Sequence, residues 1–133
     1  MSIYDWQKRF EIGNEHIDSE HRIFLLLIRK LADDLESNQG AERVLRTFSE
    51  FIHYTKFHFV SEENLMQDVE YPGYVGHRTL HEELLYQLQE HYTDIEKNRG
   101  DLKAVVQFLL DWFVRHTTTE DMNIGNFIAD RNL

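Results

Sequence analysis

Apolar and charged residues alternate at helical spacing along most of the chain. Apolar side chains recur three or four positions apart in four long stretches, and only one Pro and six Gly occur among the 133 residues. These breaks fall between the stretches, at Asn38-Gln39-Gly40, Tyr71-Pro72-Gly73 and Asn98-Arg99-Gly100. The pattern predicts an all-α chain with turns at these three places.

The periodic stretches predict four helices and one arm. The expected helices begin at Asp18, at about Ala41, at about Tyr74 and after the capping residue Asp101, and end at Asn38, about Met66, about Lys97 and toward Ile128. Short connections favour antiparallel neighbours, so we expect an up-down-up-down four-helix bundle. A single domain should span residues 1–133, with a nonhelical N-terminal arm over 1–17 and the bundle over 18–130.

Composition narrows the possible partners and location. Fourteen Lys and Arg against 24 Asp and Glu give a net charge of −10, which repels nucleic-acid phosphates and anionic lipid surfaces. The chain has no Cys, no apolar run long enough to span a membrane and no signal-peptide pattern at its start. We therefore expect a cytoplasmic protein with no nucleic-acid partner and no membrane insertion.

Candidate metal ligands lie near one end of each predicted helix. In an up-down-up-down bundle, the starts of helices one and three and the ends of helices two and four share one end of the molecule. Imidazole and carboxylate suit iron and similar first-row metals, and the absence of Cys argues against a thiolate site. The residues expected to meet are His21, His58, Glu62, His77, His81, His116 and Asp121.

The spacing of these residues carries a further prediction. Residues four apart share a helix face, as in the His58/Glu62 pair, whereas His116 and Asp121 are five apart, or about 140° around a regular helix. Both can face inward only if the helix widens locally, so we predict a π-type turn between them. Burying so many polar groups without a metal would cost several kcal/mol, which disfavours a metal-free structural bundle. His16, His53, His91 and Glu63 are expected at the surface.

This arrangement resembles the hemerythrin family in its single-domain bacterial form. The resemblance covers almost the whole chain and includes Trp6, Gly13-Asn14-Glu15 and Trp112. It implies two non-haem irons joined by a bridging oxo or hydroxo group, with an open position for O2 as ligand on the second iron. The implied ligands are His77, His81 and His116 for the first iron, His21 and His58 for the second, and Glu62 and Asp121 as bridges between the two.

The function that the resemblance implies is reversible O2 binding, for oxygen carriage, storage or buffering, with an oxygen-consuming protein as recipient. Di-iron oxidases use a more anionic set of about four Glu and two His, so the histidine-rich set favours a binding protein over an enzyme. Two alternatives remain open at this stage. One is an enzyme acting on peroxide, nitric oxide or ferrous iron, and the other is an O2-sensing module that acts in trans.

A dry pocket beside the second iron is a further expectation. Phe24, Phe59 and Trp112 are candidates for its walls, the alternative being ordinary core packing. Thr117 stands where the family commonly has an apolar residue, and Ile124 where it commonly has an aromatic one. The Thr117 hydroxyl could reach the pocket or bond to the backbone one turn earlier.

Overall fold

The chain folds as a four-helix bundle in the computed structural model, which describes residues 2–133. Within that range there is no strand, and the all-α prediction is confirmed. The elements are a short 3₁₀ turn (Lys8–Phe10), α1 (Glu15–Glu36), α2 (Ala41–Asp68), α3 (Tyr74–Glu96), α4 (Leu102–His116), the π turn (Thr117–Asp121) and α5 (Met122–Asp130). The fourth helix of the bundle consists of α4, the π turn and α5, and its backbone stays helical across both junctions.

The first helix begins at Glu15, three residues before the predicted start at Asp18. Asn14 is the N-cap, and its side chain accepts a backbone N–H from the first turn. The Asp18 carboxylate instead accepts the backbone N–H groups of Ile12 at 2.8 Å and Gly13 at 3.3 Å. Asp18 therefore fastens the arm to the bundle, and the arm is shorter than predicted and contains the 3₁₀ turn.

Residues with a left-handed backbone conformation end the first three helices. Asn38 and Asn98 have φ of 54° and 57°, so these asparagines terminate α1 and α3, while Gly40 serves as the N-cap of α2. Glu70 adopts the same conformation after α2, with φ of 54°. The following amides then bond back five residues, as in the link from Gln39 N–H to the Asp34 carbonyl.

The core lies between the helices and is closed at one side by the arm. Phe10 of the arm is buried among residues of α1 and α4, with its ring 5.2 Å from that of Phe113. The backbone carbonyl of Ile12 lies directly over Gly125 of α5, where a Cβ atom would collide with it. The arm is thus packed close to the segment that follows the π turn.

No helix within residues 2–133 is both long enough and apolar enough to cross a membrane.

Candidate metal centre

Seven buried side chains converge at one end of the bundle. They form two groups, and in each group the potential ligand atoms lie within 4.8 Å of one another. The first group holds three histidines and the second holds two, while both carboxylates belong to both groups. The first group is Glu62, His77, His81, His116 and Asp121, and the second is His21, His58, Glu62 and Asp121.

The π turn is the local feature that makes this convergence possible. It places His116 and Asp121 on the same side of the fourth helix although they are five residues apart. The hydroxyls of Thr118 and Thr119 donate to the carbonyls of Val114 and Arg115 at 2.7 and 2.6 Å. These bonds give the widened turn additional hydrogen-bonded support, and the predicted π-type turn is confirmed.

Glu62 presents a different oxygen to each group of histidines. Its Oε1 lies 2.7 Å from His77 Nε2 and 3.1 Å from His81 Nε2. Its Oε2 lies 3.3 Å from His58 Nε2 and 3.4 Å from His21 Nε2. The carboxylate therefore stands between the two groups, with one oxygen directed toward each.

Asp121 repeats this arrangement from the opposite helix. Its Oδ1 lies 3.0 Å from His77 Nε2 and 3.1 Å from His116 Nε2. Its Oδ2 lies 3.1 Å from His21 Nε2. Two carboxylates thus span two sets of imidazoles, which is the arrangement that two neighbouring metal ions with shared bridging ligands require.

The unsatisfied polar atoms of the cluster support a fit to metal. In the described part of the chain, no hydrogen-bond partner of suitable geometry reaches four buried atoms: His21 Nε2, His116 Nε2, Glu62 Oε2 and Asp121 Oδ1. Such groups are costly in a core unless a partner or a cation satisfies them. Ligands about 2.1 Å from a shared ion lie about 3 Å apart in octahedral geometry, which matches the separations between these atoms. The donor set fits two first-row metal ions.

Without a metal, charge within the cluster resides on imidazolium–carboxylate pairs. Burial lowers the pKa of His21, but Asp121 and Glu62 outweigh it and raise this pKa to about 10. The pKa of His77 is raised to about 10 by the same balance. Burial opposes ionisation of Glu62, yet the surrounding imidazoles hold its pKa well below the ordinary value. Because metals bind neutral imidazole, metal binding must displace protons from this site.

Two carboxylates outside the cluster were not identified from the sequence. Glu20 Oε1 lies 2.7 Å from His58 Nδ1, and Glu63 Oε2 lies 2.8 Å from His81 Nδ1. The expectation that Glu63 is a surface residue is wrong, because its side chain faces His81 and is 20% exposed. No local spacing relates either carboxylate to its histidine, since the partners are 38 and 18 residues apart in the chain.

Aromatic rings pack against the histidines of the cluster. Phe59 stacks on His81 with ring centroids 3.7 Å apart, and Trp112 stacks on His116 at 4.2 Å. Near the two-histidine group, the centroid of Phe24 lies 6.1 Å from that of His58. A further ring, that of Phe113, lies 6.0 Å from His21. Phe113 is buried, so an apolar ring lies beside the two-histidine group.

Thr117 and the three histidines outside the cluster differ in burial. Thr117 is buried beside His116, whereas His53 is exposed as predicted. His16 is exposed too, but its Nε2 lies 2.9 Å from Glu20 Oε2. His91 is half-buried rather than fully at the surface, because its ring packs against Phe108 at 5.3 Å.

Known proteins resemble this chain in sequence and in fold. Residues 12–128 match the model of the hemerythrin HHE cation binding domain. The chain is 27% identical over 121 residues to a bacteriohemerythrin from Stenotrophomonas maltophilia, covering 91% of this chain and 78% of that protein. It is 28% identical over 118 residues to myohemerythrin from Sipunculus nudus, covering 89% and 88%. A crystal structure of wild-type hemerythrin shares the fold, with a TM-score of 0.85, 22% identity, and coverage of 92% of this chain and 95% of that one.

Proposed function

The chain belongs to the hemerythrin family, and we propose that it binds O2 reversibly at a centre of two non-haem irons. The role of such a protein is to carry, store or buffer oxygen. The observation that carries the proposal is the placement of Glu62 and Asp121, each of which directs one oxygen to each histidine group. Relatives named bacteriohemerythrin and myohemerythrin match the chain over most of its length, which agrees with this role.

In the proposed centre, the two histidine groups of the cluster hold one iron each. Both carboxylates would be shared by the two irons, and an oxo or hydroxo group would complete the centre. The two-histidine group offers fewer protein ligands and would therefore leave room for O2. The ligands are His77, His81 and His116 at the first iron, His21 and His58 at the second, and Glu62 and Asp121 at both.

Iron supplies the reversible electron transfer that O2 binding demands, and the protein sets the conditions for it. Five neutral imidazoles and two carboxylates form a set of low anionic charge, which favours binding over substrate oxidation. Phe24 and Phe113 exclude water from the two-histidine side, while Phe59 and Trp112 fix the rings of His81 and His116. We assign Phe24, Phe59, Trp112 and Thr117 to the surroundings of the O2 pocket.

Cycling between O2 and vacuum tests the proposal against an enzymatic role. The reduced, iron-loaded protein should gain a visible absorption band under O2 and lose it under vacuum over repeated cycles. The metal-free protein is the control and should show no band. One-way oxidation, or turnover of added peroxide, nitric oxide or ferrous iron at a rate exceeding that of free iron, would favour an enzyme instead.

We also propose that the protein is cytoplasmic and that an oxygen-consuming protein receives its O2. The absence of Cys and the net charge of −10 agree with a reduced compartment and with little attraction to anionic membranes. Fractionation of the source cells tests the location, and recovery mainly in a membrane or secreted fraction would contradict it.

A further inference from the structure

Each of the two histidine groups contains one imidazole whose Nδ1 contacts a further carboxylate. This Nδ1 is the outer nitrogen of the ring, because Nε2 is the nitrogen that faces the cluster. In the two-histidine group, His58 Nδ1 lies 2.7 Å from Glu20 Oε1. In the three-histidine group, His81 Nδ1 lies 2.8 Å from Glu63 Oε2. Within residues 2–133, Nδ1 of His21 is buried without a hydrogen-bond partner, so among these residues Glu20 alone contacts an Nδ1 atom of the two-histidine group.

Glu20 is itself held in place from several directions. The Ser61 hydroxyl donates to its Oε2 at 2.8 Å, and His16 Nε2 lies 2.9 Å from the same oxygen. The Tyr54 hydroxyl donates to the backbone carbonyl of Glu20 at 2.7 Å. Glu20 is buried, and these contacts join α1 to α2 directly beside His58. Glu63 is more exposed, with 20% of its side chain accessible, and contacts His81 alone among the ligands.

We propose that Glu20 is a positioning residue that makes the two-histidine metal position competent to hold its ion. By accepting the Nδ1 proton of His58, it fixes the tautomer in which Nε2 faces the cluster, and it increases the electron-donating strength of the ring. Outer contacts of this kind orient metal-binding histidines and typically change metal affinity by about 10- to 100-fold. The inference rests on the proposed function only in taking His21 and His58 as metal ligands.

Glu20 matters more than Glu63 because the two positions differ in their other ligands. The position with three histidines keeps two further imidazoles if one ring becomes misaligned, whereas the position with two keeps only His21. Among the residues that the structure describes, none bonds to Nδ1 of His21 to hold its ring. Loss of the Glu20 contact should therefore weaken one metal position selectively, and loss of the Glu63 contact should have a smaller effect.

Titration of the metal-free protein with Co²⁺ tests this inference without O2 chemistry. The wild-type protein should bind two Co²⁺ per chain, with the three-histidine position filling first. Glu20→Gln should bind the first ion normally and the second about 10- to 100-fold more weakly, with altered visible Co²⁺ bands. Glu20→Asp keeps the charge but withdraws the carboxylate by one methylene, so it should resemble Glu20→Gln. Glu63→Gln should show a smaller loss.

Glu82→Gln is the matched control, because Glu82 is an exposed carboxylate of α3 that pairs with Arg78 and contacts no ligand. Helix content measured by circular dichroism establishes that each variant is folded, and Glu20→Asp carries the test if Glu20→Gln does not fold. Normal affinity for both ions in a folded Glu20 variant would overturn the inference, as would normal affinity in Glu20→Asp alone. Selective loss of the second Co²⁺ would uphold it even if iron-loaded protein fails to bind O2 reversibly.

Discussion

At the scale of single residues, two carboxylates each face both histidine groups. Glu62 is fully buried and directs its oxygens to opposite sides, and Asp121 does the same from the π turn. Their placement is therefore best explained by metal ions, since a buried charge without compensation is strongly destabilising.

Replacing Glu62 by Ala should remove one bridge and lower metal retention. Both histidine groups would then lack a negatively charged ligand and bind metal more weakly, so we expect at least one metal per chain to be lost on desalting. Metal analysis after gel filtration measures this. His53→Ala, which alters an exposed histidine of the same helix, should retain the wild-type metal content. Equal retention by the two variants would show that the bridge is wrongly assigned.

Thr117→Ile tests whether a polar residue limits the lifetime of the oxygenated protein. Thr117 is buried directly after His116, where a hydroxyl that reaches the pocket could admit water or donate a hydrogen bond. We expect the variant to autoxidise more slowly, with unchanged iron content, when the decay of the visible band is followed under air. Indistinguishable decay rates would place the Thr117 hydroxyl outside the pocket and return it to local backbone structure.

The convergence of the seven side chains could be predicted from the sequence, because helical spacing and bundle topology place them at one level. The contacts of Glu20 and Glu63 with the Nδ1 atoms of these histidines could not be predicted. Glu20 precedes His21 in the chain but contacts His58, and Glu63 follows Glu62 but contacts His81. Such contacts depend on the rotation and separation of two helices, which periodicity does not define to within a hydrogen-bond length.

At the scale of elements, the π turn and the arm are the two departures from a regular bundle. The five-residue step from His116 to Asp121 predicted the turn because both side chains had to face inward. The start of α1 was missed because both Asn14 and Asp18 can cap a helix. Asp18 is used instead to bind the arm through Ile12 and Gly13, a tertiary contact without a periodic signal in the sequence.

Gly125→Ala should destabilise the protein although alanine is the better helix former. Its methyl group would collide with the Ile12 carbonyl, forcing the arm away from α5. Gly76→Ala is the matched control because, beyond its own helical turn, no atom of residues 2–133 lies within 4 Å of the added atom, and it should be neutral or stabilising by up to about 1 kcal/mol. Urea denaturation of both variants measures the difference. A Gly125→Ala protein as stable as Gly76→Ala would show that the arm does not require this close approach.

At the scale of the whole molecule, metal and protons compete for one end of the bundle. In metal-free protein the pKa of His21 and of His77 rises from 6.5 to about 10 through their carboxylate neighbours. The stability that these pairs contribute is fully present below pH 6.5 and is lost as the pH rises through 10. Metal ions bind neutral imidazole, so metal binding competes with protonation of these histidines. The stabilisation that bound metal adds therefore increases as the pH rises.

We therefore expect metal-free protein to have a lower Tm than metal-loaded protein, with a gap that widens from pH 7 to pH 9. Each proton that must be released steepens the dependence by at most about 1.4 kcal/mol per pH unit. Thermal melts of the metal-free and Zn²⁺-loaded forms at both pH values measure the gap. A gap that narrows at pH 9 would contradict the assignment of charged imidazoles to the metal-free site.

The most direct test of the account is a count of iron and O2 in one sample. Reduced protein is loaded with iron, freed of excess metal, and titrated with O2 while the visible spectrum is followed. We expect two irons per chain, one O2 per pair of irons at saturation, and recovery of that O2 under vacuum. Saturation at one iron per chain, or uptake of O2 that cannot be recovered, would rule out a reversible di-iron centre.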